Sequence, residues 1–97
     1  MGEDHHVTID GKRWTLRFTR LTGDAAGWTY FDHAAKPRRI LIDERLRGGA
    51  KLETIVHELV HACLGSTISE EAVTETARVI RRTLVNLGYR EVQGGQK

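Results

Sequence analysis

The hydropathy period changes once along the chain, and that change constrains the fold more than any other feature. Val7, Ile9, Trp14, Leu16 and Phe18 set apolar residues at alternate positions on either side of Asp10-Gly11, as a half-buried strand pair requires. Leu52, Ile55, Val56, Leu59, Val60 and Cys63 instead recur at threes and fours, as an amphipathic helix requires. A chain of 97 residues holds one domain, so sheet and helices must share one core. The expected fold class is α+β: a small, mainly antiparallel sheet followed by two helices. The expected domain spans 1–97, with an ordered core over about 6–91.

Turn and cap chemistry refines the elements. Asp10-Gly11 predicts a hairpin of roughly 6–10 and 12–19. Leu21 to Asp24 is expected as a loop, 27–31 as a short third strand, 32–37 as a turn and 39–43 as a β-branched fourth strand. Residues 44–50 are expected as a loop ending in Gly48-Gly49-Ala50. Gly65 is placed to cap the first helix, and Ser69 to start a second from about Glu70 to Leu87. Val73, Ala77, Ile80, Leu84 and Leu87 mark its apolar stripe. Residues 1–5 and 93–97 are expected to fray.

Composition excludes several classes. Charged residues are 29% and apolar residues 39% of the chain, which argues against disorder. The one cysteine, Cys63, can form neither an internal disulfide nor a paired-cysteine zinc site. No signal-peptide pattern and no membrane-length apolar run is present, so a cytoplasmic location and no membrane partner are expected. A net charge of +2 with mixed signs is a weak argument for nucleic-acid binding. Arg38, Arg39, Arg78, Arg81 and Arg82 are expected as solvated surface.

The chemistry lies in His57-Glu58-Leu59-Val60-His61, an HExxH motif in the middle of the first helix. Residues four apart stand one turn above each other, about 40° apart around the axis, so both imidazoles can grip one ion. The centre of the apolar stripe lies about 140° away, which turns the histidines towards a cleft or solvent. Glu58 lies about 100° from His57, badly placed as a ligand but within reach of a water on the ion, where a general base belongs.

Catalytic zinc takes three protein ligands and keeps an open position. No histidine follows His61, so a downstream third ligand must be a carboxylate: Glu70, Glu71 or Glu75. Glu70 lies about 60° from the centre of the second helix's stripe and Glu71 about 160°. Glu70 is therefore the better candidate and Glu71 the second, while all three acids also suit the helix dipole. Cys63 is expected to be buried on the apolar face, and His5 and His6 to lie in a solvated start.

HELVH, a short loop and a carboxylate on the next helix resemble the zincin metallopeptidases, in the gluzincin arrangement. The plan is also similar to small single-domain zincins, including phage-type, SprT-like and IrrE-like proteins. The specific resemblance covers 52–88; residues 7–43 share only the general plan. The third histidine of SprT-like proteins is missing here. The resemblance implies zinc held by His57, His61 and Glu70, with Glu58 activating water to hydrolyse a peptide or protein substrate. Tyr30, His33 and Tyr89 are the candidates to stabilise an oxyanion, and strand 27–31, if at a sheet edge, is a candidate to bind an extended peptide. The competing reading is a non-catalytic zincin-like module that binds metal or a protein partner. Use of the arginines on nucleic acid is a third.

Overall fold

A computed structural model describes residues 3–32 and 37–92. Four strands precede two helices: β1 (Glu3–Ile9), β2 (Lys12–Thr19), β3 (Gly27–Tyr30), β4 (Arg39–Asp43), α1 (Gly48–Leu64) and α2 (Glu70–Asn86), with a 3-10 turn at Gly65–Thr67 between the helices. The expected α+β class and the mostly antiparallel sheet are both present.

The hairpin forms because Asp10 and Gly11 both take positive φ, 52° and 76°, which suits a two-residue turn to the strand twist. Val7 then lies opposite Trp14 and Ile9 opposite Lys12. β1 begins at Glu3, so the expected fraying of residues 3–5 is corrected. Arg17 holds Asp4 through two hydrogen bonds of 2.7 and 3.1 Å, and the His5 ring meets Phe18 edge-on at 5.7 Å. These cross-strand contacts extend the pairing. Residues 93–97 lie outside the described residues.

The sheet order is β1-β2-β4-β3, and β2 pairs with β4 in parallel. The chain passes over to β3 first and returns to fill the gap with β4. The fourth strand therefore becomes central and the third becomes an edge, paired antiparallel to β4 and, among the described residues, to no other strand. Ile40 and Ile42 on β4 have no exposed surface. Burying side chains of this kind contributes about 2 kcal/mol each. They join Trp14, Leu16 and Ala62 in one core, with Ile55 and Leu59 of α1 packed against it.

Helix α1 starts at Gly48, inside the expected loop 44–50. No side chain of Arg47 caps it. Instead the Gly48 amide donates to Glu91 Oε1 at 2.9 Å, so a carboxylate from the far end of the described chain satisfies this N-terminus. Helix α2 begins as expected, with Ser69 Oγ accepting from the Ala72 amide at 3.1 Å.

Two burial expectations are corrected. Cys63 is exposed, because the sheet covers the side of α1 that carries Glu58, Ala62, Ile55 and Leu59. Cys63 lies about 100° further round than Ala62, on the last turn, where Leu64 is exposed as well. Leu87, expected at the end of the α2 stripe, is also exposed, while Val73 and Ala77 at the other end are fully buried. Among the described residues no helix is long and apolar enough to cross a membrane.

Candidate metal centre

The connection between the helices decides which carboxylate meets the histidines. Gly65 takes φ 55° and ψ −132°, a conformation that side-chain-bearing residues avoid. Its amide donates to the His61 carbonyl. The 3-10 turn follows, and Thr67 Oγ1 donates to the Leu64 carbonyl. The chain thus reverses within a few residues, and Glu70 becomes the first residue of α2, directly opposite the histidine face of α1.

His57 Nε2 lies 3.1 Å from Glu70 Oε2, and His61 Nε2 lies 2.9 Å from Glu70 Oε1. The two imidazole centroids are 5.0 Å apart. All three residues can offer ligand atoms that lie within 4.8 Å of one another. In a tetrahedral zinc site with bonds of about 2.0–2.2 Å, neighbouring ligand atoms are separated by about 3.3–3.6 Å. The two imidazole–carboxylate distances lie within about half an ångström of that spacing, so the donor set suits a divalent ion in chemistry and in the reach of Glu70 to both rings. Two imidazoles and one carboxylate are also the ligand types zinc accepts in catalytic sites.

The structure brings Glu70 to the histidines and leaves Glu71 outside the group. Glu75 also stays outside and pairs with Arg78 at 2.8 Å. The burial of the HExxH residues differs sharply. The histidine side chains keep 23% and 27% of their surface and Glu70 keeps 65%, whereas Glu58 keeps 8% as a residue. Ligand atoms therefore face solvent while the candidate base is held against the sheet.

Glu58 meets β3. Thr29 Oγ1 lies 2.6 Å from Glu58 Oε1 and 3.1 Å from the Glu58 carbonyl oxygen. Gly27 is close enough that an added Cβ would lie 2.9 Å from Glu58 Cγ. Strand alternation puts Gly27 and Thr29 on the α1 side and turns Trp28 and Tyr30 away. Gly27, Trp28 and Thr29, together with Phe31, His57, Glu58, His61 and Glu70, line a cleft of about 380 Å³. Neither Thr29 nor Gly27 carries a sequence signal of its own that marks it for a site. Alternation groups them, but only the return of β4 inside β3 brings that strand over Glu58.

Two of the three candidate oxyanion residues lie elsewhere. Tyr30 packs under the Arg39 guanidinium, 4.2 Å from its ring centroid, on the sheet face away from α1. Tyr89 lines a separate cavity of about 610 Å³ with Leu52, Leu84 and Arg81. His33 lies outside the described residues. His5 and His6 belong to β1, not to a loose start. Arg78 and Arg81 pair with Glu75 and Glu53 and stay largely exposed, as expected of solvated surface, whereas Arg38, paired with Asp32, keeps only 23% of its side-chain surface and buries its Nε without a partner among the described residues, which corrects the expectation there.

No curated protein and no solved structure matches the chain significantly. A family model does match, that of the IrrE N-terminal-like domain, over residues 13–84. The match runs from β2 to the last turn of α2 and so includes the sheet core, the HExxH helix and Glu70. It makes the chain a metallopeptidase-type domain. By its fold, its His-His-Glu cluster and this match, the chain belongs to the M78 peptidase family of IrrE N-terminal-like domains.

Proposed function

We propose that the chain is a zinc-dependent peptidase in which His57, His61 and Glu70 hold the metal and Glu58 is the general base. The observation that carries this reading is one carboxylate meeting both imidazoles, at 2.9 and 3.1 Å, in the cleft that Glu58 also lines. Zinc in such a site supplies Lewis acidity, activating water at neutral pH and polarising a carbonyl. Glu58 then takes a proton from the water and returns it to the leaving amine.

The edge strand supports a peptide substrate. Among the described residues β3 pairs only with β4, so its other edge offers backbone donors and acceptors to an added extended segment. Trp28 and Phe31 are each 50% exposed and line the cleft, which favours apolar side chains beside the scissile bond. The test is cleavage of a quenched-fluorescent peptide library, with and without a chelator. Zinc-dependent cleavage at an internal peptide bond supports the proposal, and a zinc-loaded protein that cleaves nothing rejects it.

One observation favours the second reading, a metal-holding module that binds a protein without cutting it. Among the described residues the cleft lining includes no tyrosine, lysine or arginine to stabilise an oxyanion beside the metal. The same library separates the two, because a module retains peptides without cleaving them.

A further inference from the structure

The geometry points to Thr29 as the positioning residue for Glu58, with Gly27 supplying the space its carboxylate needs. This rests on the proposed role of Glu58 as base. A glutamate has three rotatable torsions, and freedom at the last of them would swing its oxygens away from a reacting water. A base must be held in reach of the proton it takes.

Three observations converge on β3 as the element that holds it. The first is the bond from Thr29 Oγ1 to Glu58 Oε1 at 2.6 Å, a length typical of a hydroxyl donating to an ionised carboxylate. The hydroxyl has one proton, and the Glu58 carbonyl is the more distant acceptor at 3.1 Å, so the carboxylate is the main partner. The second is burial. With 8% of its surface exposed, Glu58 has little water to replace that donor, and an unpaired buried carboxylate is costly.

The third is Gly27. A Cβ there would lie 2.9 Å from Glu58 Cγ, 3.0 Å from Thr54 Cγ2 and 3.1 Å from Glu58 Oε2. Thr54 and Glu58 lie one turn apart on α1, so any side chain at 27 would press on the helix and the carboxylate together. Glycine is needed here for close approach. Oε1 is thereby tied to Thr29, which leaves Oε2 as the oxygen to accept a proton. The strand offered to substrate on one edge thus orients the base with its inward side chains.

The experiment compares Thr29→Val, which keeps the shape and loses the donor, with Thr29→Ser, which keeps the donor. Zinc affinity is measured by competition with a chromogenic chelator, and turnover on the best library peptide. Thr29→Val is expected to lower kcat by about 10–100-fold, as loss of an orienting partner does, with KM and zinc affinity near the parent's. Thr29→Ser recovers most of kcat, and Gly27→Ala lowers kcat as Thr29→Val does. Parent-like kcat in Thr29→Val overturns the inference, as does a loss that Thr29→Ser fails to rescue.

A second readout needs no substrate. In a double-mutant cycle on thermal unfolding, Thr29→Val lowers the midpoint in the parent but not in Glu58→Ala. Additive shifts would overturn the inference. If the parent cleaves nothing, the functional reading fails and the cycle alone decides whether Thr29 holds the carboxylate.

Discussion

Glu70 Oε1 lies 2.9 Å from His61 Nε2, across a helix end, a 3-10 turn and a new helix start. The sequence separation of nine residues is closed by one backbone reversal at Gly65. That reversal makes the difference between a pair of histidines and a three-donor site.

Replacing Glu70 should therefore act on metal binding and hardly on folding. Glu70→Ala should weaken zinc by more than the roughly 10–100-fold lost with an outer-shell partner. Its exposure means the unfolding midpoint without metal should move little. Glu71→Ala should leave zinc affinity at the parent value. Chelator competition on the two variants checks both expectations, and equal losses would remove Glu70 from the ligand set.

Gly65→Ala should couple stability to the metal. The conformation at φ 55° and ψ −132° costs a residue with a Cβ about 1–3 kcal/mol. Relief of that strain would re-aim α2 and carry Glu70 away from the histidines. Urea unfolding and zinc titration of this one variant should both worsen. A drop in stability with unchanged zinc affinity would mean that the reversal tolerates alanine without moving Glu70.

The sheet core should be unforgiving at its centre. Ile40 and Ile42 have no exposed surface and lie on the central strand. Ile42→Ala should cost about 2–5 kcal/mol, whereas Val92→Ala, at a side chain 68% exposed, should cost little. Denaturant midpoints at a constant slope measure the difference.

Much of this arrangement is legible in the sequence. The strand alternation, the Asp10-Gly11 turn, the Ser69 cap and the HExxH helix follow from local chemistry, and helical geometry favours Glu70 over Glu71. Strand order does not follow. Nothing within residues 20–38 says that β4 inserts between β2 and β3, yet that insertion exposes the edge of β3 and brings Thr29 to Glu58. The wheel also treats the apolar arc of α1 as facing one partner. In the structure α1 packs on α2 and on β3 and β4 of the sheet, so the buried line shifts to Glu58 and Ala62 and leaves Cys63 outside. The Glu91 contact that begins α1 early joins positions 43 residues apart, beyond any local signal.

Acid sensitivity should have an identifiable source at Asp43. Hydrogen bonds from the Arg45 side chain and then its amide hold this carboxyl far below the ordinary aspartate range, against the opposing effect of burial. A carboxyl lowered in the folded state contributes stability that is fully present above its unfolded pKa of about 3.9. That contribution is lost as pH falls through the folded value. Asp43→Asn should lower the thermal midpoint at pH ~7 and lower it less towards pH ~2, where the parent's aspartate also begins to protonate. Parallel curves for parent and variant across that range would contradict the assignment.

The central claim is tested most directly by peptide hydrolysis with parent and Glu58→Gln loaded to the same zinc content. The account predicts that the parent cleaves and that Glu58→Gln keeps its zinc but loses turnover, because the amide cannot take the proton. Equal turnover in the two proteins would contradict it.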